Sequence, residues 1–100
     1  MQVSLDDRAF EDLKNLDEEV SDEVFDKLQK LEDEGMSIKE VSPWEDNRGE
    51  LFFRLKIKED KTDHRAFFDI EDGKAVIYGI FHRDQAYENS VKKEIENRIE

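Results

Sequence analysis

Apolar and polar positions along the chain recur with two different periods, and the changes of period mark its elements. Val3 and Leu5 alternate with Gln2 and Ser4, which suits a short strand over Met1 to Leu5. Ser4 stands three residues before Asp7 in an arrangement close to a capping box, so a helix is expected to start nearby. Leu5, Ala9, Leu13 and Leu16, with Phe10 beside them, supply one apolar face of that helix, and Asn15 to Asp17 breaks it. From about Glu18 a second helix carries Val20, Val24, Phe25, Leu28 and Leu31 on one face, and Gly35 provides the left-handed stop. A link this short makes the two helices antiparallel neighbours.

Between Met36 and Glu50 the periodicity fails around Pro43, Trp44 and the Asn47-Arg48-Gly49 turn signal, and a long connecting loop is expected. Leu51, Phe53, Leu55 and Ile57 then alternate with Phe52, Arg54, Lys56 and Lys58, so one set enters a core and the other faces away. A second strand, His64 to Ile70, sets Ala66, Phe68 and Ile70 against Arg65, Phe67 and Asp69. It leads through Asp72-Gly73, a pair favoured in hairpin turns, into Ala75 to Phe81. That last run is apolar on both sides apart from Tyr78 and Gly79, which calls for an interior strand covered twice. Val91, Ile95 and Ile99 at intervals of four offer a C-terminal helix as the second cover. The predicted order is β-α-α-β-β-β-α, an α+β fold in which a short strand and a helical hairpin pack on an antiparallel sheet closed by a C-terminal helix.

The 100 residues suffice for one modest core, so a single domain over 1–100 is expected. No apolar run is long enough to span a bilayer, the first residues do not read as a leader, and there is no Cys; a cytoplasmic protein without disulfides fits these features. His64 and His82 lie far apart and outside any metal-ligand spacing, so neither a metal nor another cofactor is expected. Charge changes the picture more. The formal net charge is -12, with 17 acidic and 6 basic residues in positions 1–50 against 11 and 10 in positions 51–100. Such acidity approaches the composition of disordered chains, yet the regular periods argue for a folded one. The excess negative charge belongs to the hairpin half, leaving the sheet half near neutrality.

The short strand, the helical hairpin, the Gly49-preceded strand with alternating Arg54, Lys56 and Lys58, the Arg65-Ala66-Phe67 opening of the next strand and the ending Ile80-Phe81-His82-Arg83-Asp84-Gln85-Ala86-Tyr87 together resemble the RelE/ParE superfamily of toxins. The ending looks like the Gly-His-Arg-(x)3-Tyr segment of RelE-type members, with Phe81 where Gly is common. The resemblance implies the toxin of a type II toxin-antitoxin pair. In the RelE branch this is a metal-independent endonuclease that cuts mRNA on the ribosome, and in the ParE branch a protein that poisons DNA gyrase; both are silenced by a bound antitoxin. On the RelE pattern Arg65, Arg83, Tyr87 and His82 would be catalytic, and Arg54, Lys56, Lys58 and Phe67 would hold RNA. Cleavage by the 2′-hydroxyl needs a proton acceptor, positive charge around the phosphorane and a donor at the leaving oxygen. The resemblance assigns acceptance to Tyr87, phosphate binding to Arg54, Lys56 and Arg65, the leaving side to Arg83 or His82, and a stacking ring to Phe67.

Spacing alone leaves plainer roles open. Arg54, Lys56 and Lys58 alternate as on any solvated strand face, Arg65 has Asp63 or Asp69 as a candidate partner for a plain surface ion pair, and His82 suits the edge of a core. Tyr87 lies in line with Val91 and Ile95, at the start of an apolar helical stripe. A surface at -12 also repels RNA at moderate salt, an effect that fades at 1 M, where the Debye length is about 3 Å.

Overall fold

The computed structural model describes residues 1–99. Strand β1 (Gln2–Leu5) leads into helices α1 (Asp7–Lys14) and α2 (Glu18–Glu34), then a single 3-10 turn (Gly35–Ser37). Strands β2 (Val41–Glu45), β3 (Leu51–Lys58), β4 (Asp63–Glu71) and β5 (Lys74–His82) follow, and helices α3 (Arg83–Ala86) and α4 (Asn89–Ile99) end the chain. The sheet order is β1-β5-β4-β3-β2. β1 lies parallel to β5, and the other pairs are antiparallel. Among the described residues no helix is long and apolar enough to cross a membrane.

Two details depart from the periodicity. Because β1 runs through Leu5, which pairs with Ile77, the capping role falls to Asp6 and not to Ser4; the Asp6 carboxylate accepts from the Arg8 amide at 3.0 Å. The expected loop contains β2. Pro43 has no amide hydrogen to give, but β2 is an edge strand paired only with β3, a place where a sheet tolerates proline. The turn between them is built on Asp46, whose buried carboxylate accepts from the Arg48 and Glu50 amides at 2.8 and 2.9 Å and from the Arg48 guanidinium.

β5 is interior and covered on both sides. One face meets Ala9, Leu13, Val24, Leu28 and Leu31 of the helical hairpin, which pack with Leu55, Ile57, Ala66, Phe68, Ile77 and Ile80. Phe10 and Phe25, each one step round the helix from this stripe, stay exposed. The other face forms a second core of Trp44, Phe52, Phe67, Ala86 and Ile95 with Val91 and Ile99 beside it. A bulge adjusts β5 to both. Phe67 pairs with Gly79 and Phe68 with Ile77, so Tyr78 is an extra residue, and Ile77 and Ile80 reach the same core although three apart. The Tyr78 hydroxyl donates to the Glu71 carboxylate.

Gly79 lets α4 approach the sheet. A Cβ there would lie 2.6 Å from Ile95 Cδ1 and 2.6 Å from the Phe81 ring. Gly79→Ala is therefore expected to destabilise the protein by about 1–3 kcal/mol through overpacking, read as a lower urea midpoint. An unchanged midpoint would show that α4 does not seat as closely as described.

Candidate functional site

The strand registers place the predicted basic residues on one face, the one that α4 partly covers. Ser42, Arg54 and Phe67 form one cross-strand row, and Lys56, Arg65 and Phe81 form the next. α4 sits over Phe67 and Trp44, while Lys56 and Lys58 remain exposed. Tyr87 ends α3 as its C-terminal cap and is 44% exposed, so it does not begin the α4 stripe. Its ring lies against Arg54: the guanidinium carbon is 5.4 Å from the ring centroid, and Arg54 Nη1 donates to the Tyr87 hydroxyl oxygen at 2.8 Å. Arg54 Nε is anchored on the Ser42 hydroxyl at 3.2 Å. This contact was not legible in the sequence, because Ser42 lay in the segment read as a loop.

Arg65 reaches the same face but is committed. It is 6% exposed, and its Nη1 donates to Asp63 at 3.0 Å and to the His64 carbonyl at 2.9 Å. Asp63 in turn collects charge from several sides. Burial, which opposes its ionisation, is outweighed by the Arg65 hydrogen bond and by the positive charges of Arg65, Lys58 and Arg83, so the carboxyl lies below its usual range. Lys58 is its cross-strand partner, and Arg83 is exposed at the start of α3. Three predicted site residues thus act on one carboxylate, Arg65 by direct contact. Of the two carboxylates that the sequence offered to Arg65, the one taken is Asp63, two residues before it on the same side of β4.

Two assignments do not survive the geometry. Phe67 is 0% exposed beneath Trp44, Ile95 and Ala86, so it is a core ring with no face to offer a base. His82 lies on the hairpin side of the sheet, paired with His64 (ring centroids 5.1 Å apart), because alternation along β5 turns it away from Phe81. Its Nδ1 accepts from the Asp84 amide at 3.1 Å and caps α3. Among the described residues no three His, Asp or Glu side chains converge to hold a metal ion.

A family model described as "ParE toxin of type II toxin-antitoxin system, parDE" matches residues 3–87. The chain belongs to this family of toxin-antitoxin toxins. No curated protein sequence matches it. The structure of a free-state E. coli RelE toxin mutant carrying two arginine-to-alanine substitutions superposes with a TM-score of 0.64, covering 99% of this chain and 97% of that one at 16% identity. That likeness shows a shared fold. Membership of a toxin-antitoxin family implies an antitoxin partner for this ParE-family chain.

Glu40 and His64 add to the acid sensitivity that the lowered carboxyls of Asp6, Asp46 and Asp63 also give the fold. The Glu40 carboxyl is held at about 2, against an ordinary 4.5, first by the Lys30 hydrogen bond, with burial opposing and Lys27 adding. His64 is lowered from 6.5 by burial and then by the charge of His82, and its Nδ1 has no partner among the described residues. For both groups the unfolded chain binds more protons, so stability falls with falling pH. The thermal midpoint is expected to decline first below about 6.5 and more steeply from about 4.5 towards 2. Glu40→Gln should lower the neutral-pH midpoint and flatten the acid limb; an unchanged limb would remove Glu40 from the account.

Proposed function

We propose that this ParE-family chain acts by cutting RNA without a metal, with ribosome-bound mRNA as substrate and an antitoxin as its silencing partner. The observation that carries this reading is the Arg54–Tyr87 contact at 2.8 Å on an exposed face that also presents Lys56. The Tyr87 oxygen, taken as acceptor of the 2′-hydroxyl proton, has a guanidinium donor beside it, and that donor stays at the same place when negative charge gathers on the phosphorane. Lys56 and Lys58 supply positive charge along the strand. Arg83, exposed one short helix before Tyr87, serves the leaving oxygen, and Arg65 acts from beneath the surface by orienting Asp63 among these cations.

Induced in a bacterial host, the protein is expected to arrest growth and to create new mRNA 5′ ends. Tyr87→Phe and Arg54→Ala should each lower cleavage by about 10²-fold while leaving the fold intact. Growth arrest without new ends would overturn the nuclease reading.

A second reading, inhibition of DNA gyrase without catalysis, draws on the ParE family match and on the burial of Phe67, the ion pairing of Arg65 and the turned-away His82. It predicts that purified protein blocks gyrase supercoiling, and that Tyr87→Phe leaves this inhibition unchanged. RNA cleavage with normal supercoiling would dismiss it.

A further inference from the structure

A groove of about 530 Å³ lies where α2 meets the outer edge of β3, lined by Lys27, Lys30, Lys39, Lys56 and Lys58 with Glu40 and Glu59. It gathers five of the ten lysines of a chain whose formal net charge is -12. The backbone explains why it is open. β2 starts at Val41 opposite Leu55, and its last contact with β3 in this direction is the Lys56 amide donating to the Glu40 carbonyl at 2.9 Å. Beyond that point the edge of β3 has no neighbouring strand among the described residues.

The two sides of the groove are built differently. Lys27 and Lys30 are held on the Glu40 carboxylate at 3.0 and 2.8 Å, and Lys27 also meets Glu59 at 2.9 Å. With Lys27 and Glu40 13% and 9% exposed, this wall is fixed in place. Lys39, Lys56 and Lys58 are exposed and make no ion pair within 4.0 Å among the described residues, although Lys58 feels the charge of Asp63 across the strands. Five ammonium groups against two carboxylates leave the groove positive on an otherwise acidic surface. Lys56 belongs both to this groove and to the cross-strand row beside Arg54, so an anionic chain lying on the Arg54–Tyr87 face runs directly into it.

We propose that this groove binds the phosphodiester backbone of single-stranded RNA, as the track for the strand continuing from the Arg54–Tyr87 face. The inference rests on reading that face as an RNA site. No aromatic side chain lines the groove, so it holds phosphates and does not read bases. An acidic peptide would satisfy the same charges, but continuity with the exposed Arg54–Tyr87 pair favours the nucleic acid.

Binding is tested with the full chain and 2′-O-methyl oligoribonucleotides, which bind and cannot be cut by their own 2′-hydroxyl. Lys39→Glu changes an exposed, unpaired side chain and is expected to weaken binding several-fold, equally for A-rich and U-rich strands. The salt slope should fall by about 0.7 for the lost phosphate contact. Lys74→Glu, at the exposed first residue of β5 and outside the groove lining, is the charge-matched control and should weaken binding less. In the wild type, the Lys30 and Lys39 amide resonances should shift on titration with the oligonucleotide. Equal effects of the two substitutions, unshifted resonances, or tighter binding of a polyglutamate peptide than of RNA would overturn the groove assignment. Cleavage is scored separately: groove-dependent binding without cleavage removes only the nuclease reading, and cleavage without groove dependence removes only the groove.

Discussion

The architecture depends on how β5 is completed on the side where β1 runs out. β1 accompanies β5 only as far as Ile77, and the backbone groups beyond would be left without a strand partner. Asp12 of α1 accepts from the Ile80 amide at 3.1 Å, and Arg98 of α4 donates to the Tyr78 carbonyl at 3.0 Å. The two side chains join each other at 2.7 Å. One ion pair thus replaces a missing strand and ties together the helices that cover opposite faces of the sheet. Removing either partner would leave a half-buried charge and an open backbone group, both costly in a sheet interior. Gly79, between these two anchor points, lets α4 lie close enough for Arg98 to reach.

That arrangement also distributes the charge. The acidic hairpin lies on one face, and the Arg54–Tyr87 pair lies on the other, beside the part that α4 leaves open. Lysines are drawn round the free edge of β3 by Glu40, which remains ionised because Lys30 and Lys27 hold it. A chain with a large negative excess therefore still gathers Lys27, Lys30, Lys39, Lys56 and Lys58 in one groove, close to Arg54 along β3. The field of the groove is short-ranged, since at an ionic strength of 0.15 M charges are screened beyond about 8 Å.

Much of the fold was legible because burial imposes periods. The hairpin stripe, the alternation of β3 and the doubly apolar β5 led to the right elements, the α+β class and the need for two covers. β2 was missed because its partner relation, and not its own pattern, makes it a strand; an edge position excuses Pro43. The bulge at Tyr78 was equally invisible, since it changes which residues share a face without changing composition. At the site, alternation correctly put Arg54, Lys56 and Arg65 on one side. It could not tell an exposed aromatic from a buried one: Tyr87, which spacing put at the start of the α4 stripe, is exposed, and Phe67, to which the resemblance gave a stacking role, is buried.

The amino-acid sequence by itself determined the elements, the two-sided burial of the last strand and the split between an acidic half and a near-neutral one, because these follow from local periodicity and composition. Only the tertiary structure decided which charges are available. Arg65 is held by Asp63, His82 is turned to the other face as a helix cap, Arg54 is brought to Tyr87 across 33 positions, and lysines from α2, β3 and the connecting segment meet in one groove. Each outcome depends on register, twist and the packing of α4, which are properties of neighbours distant in the chain and carry no local signature.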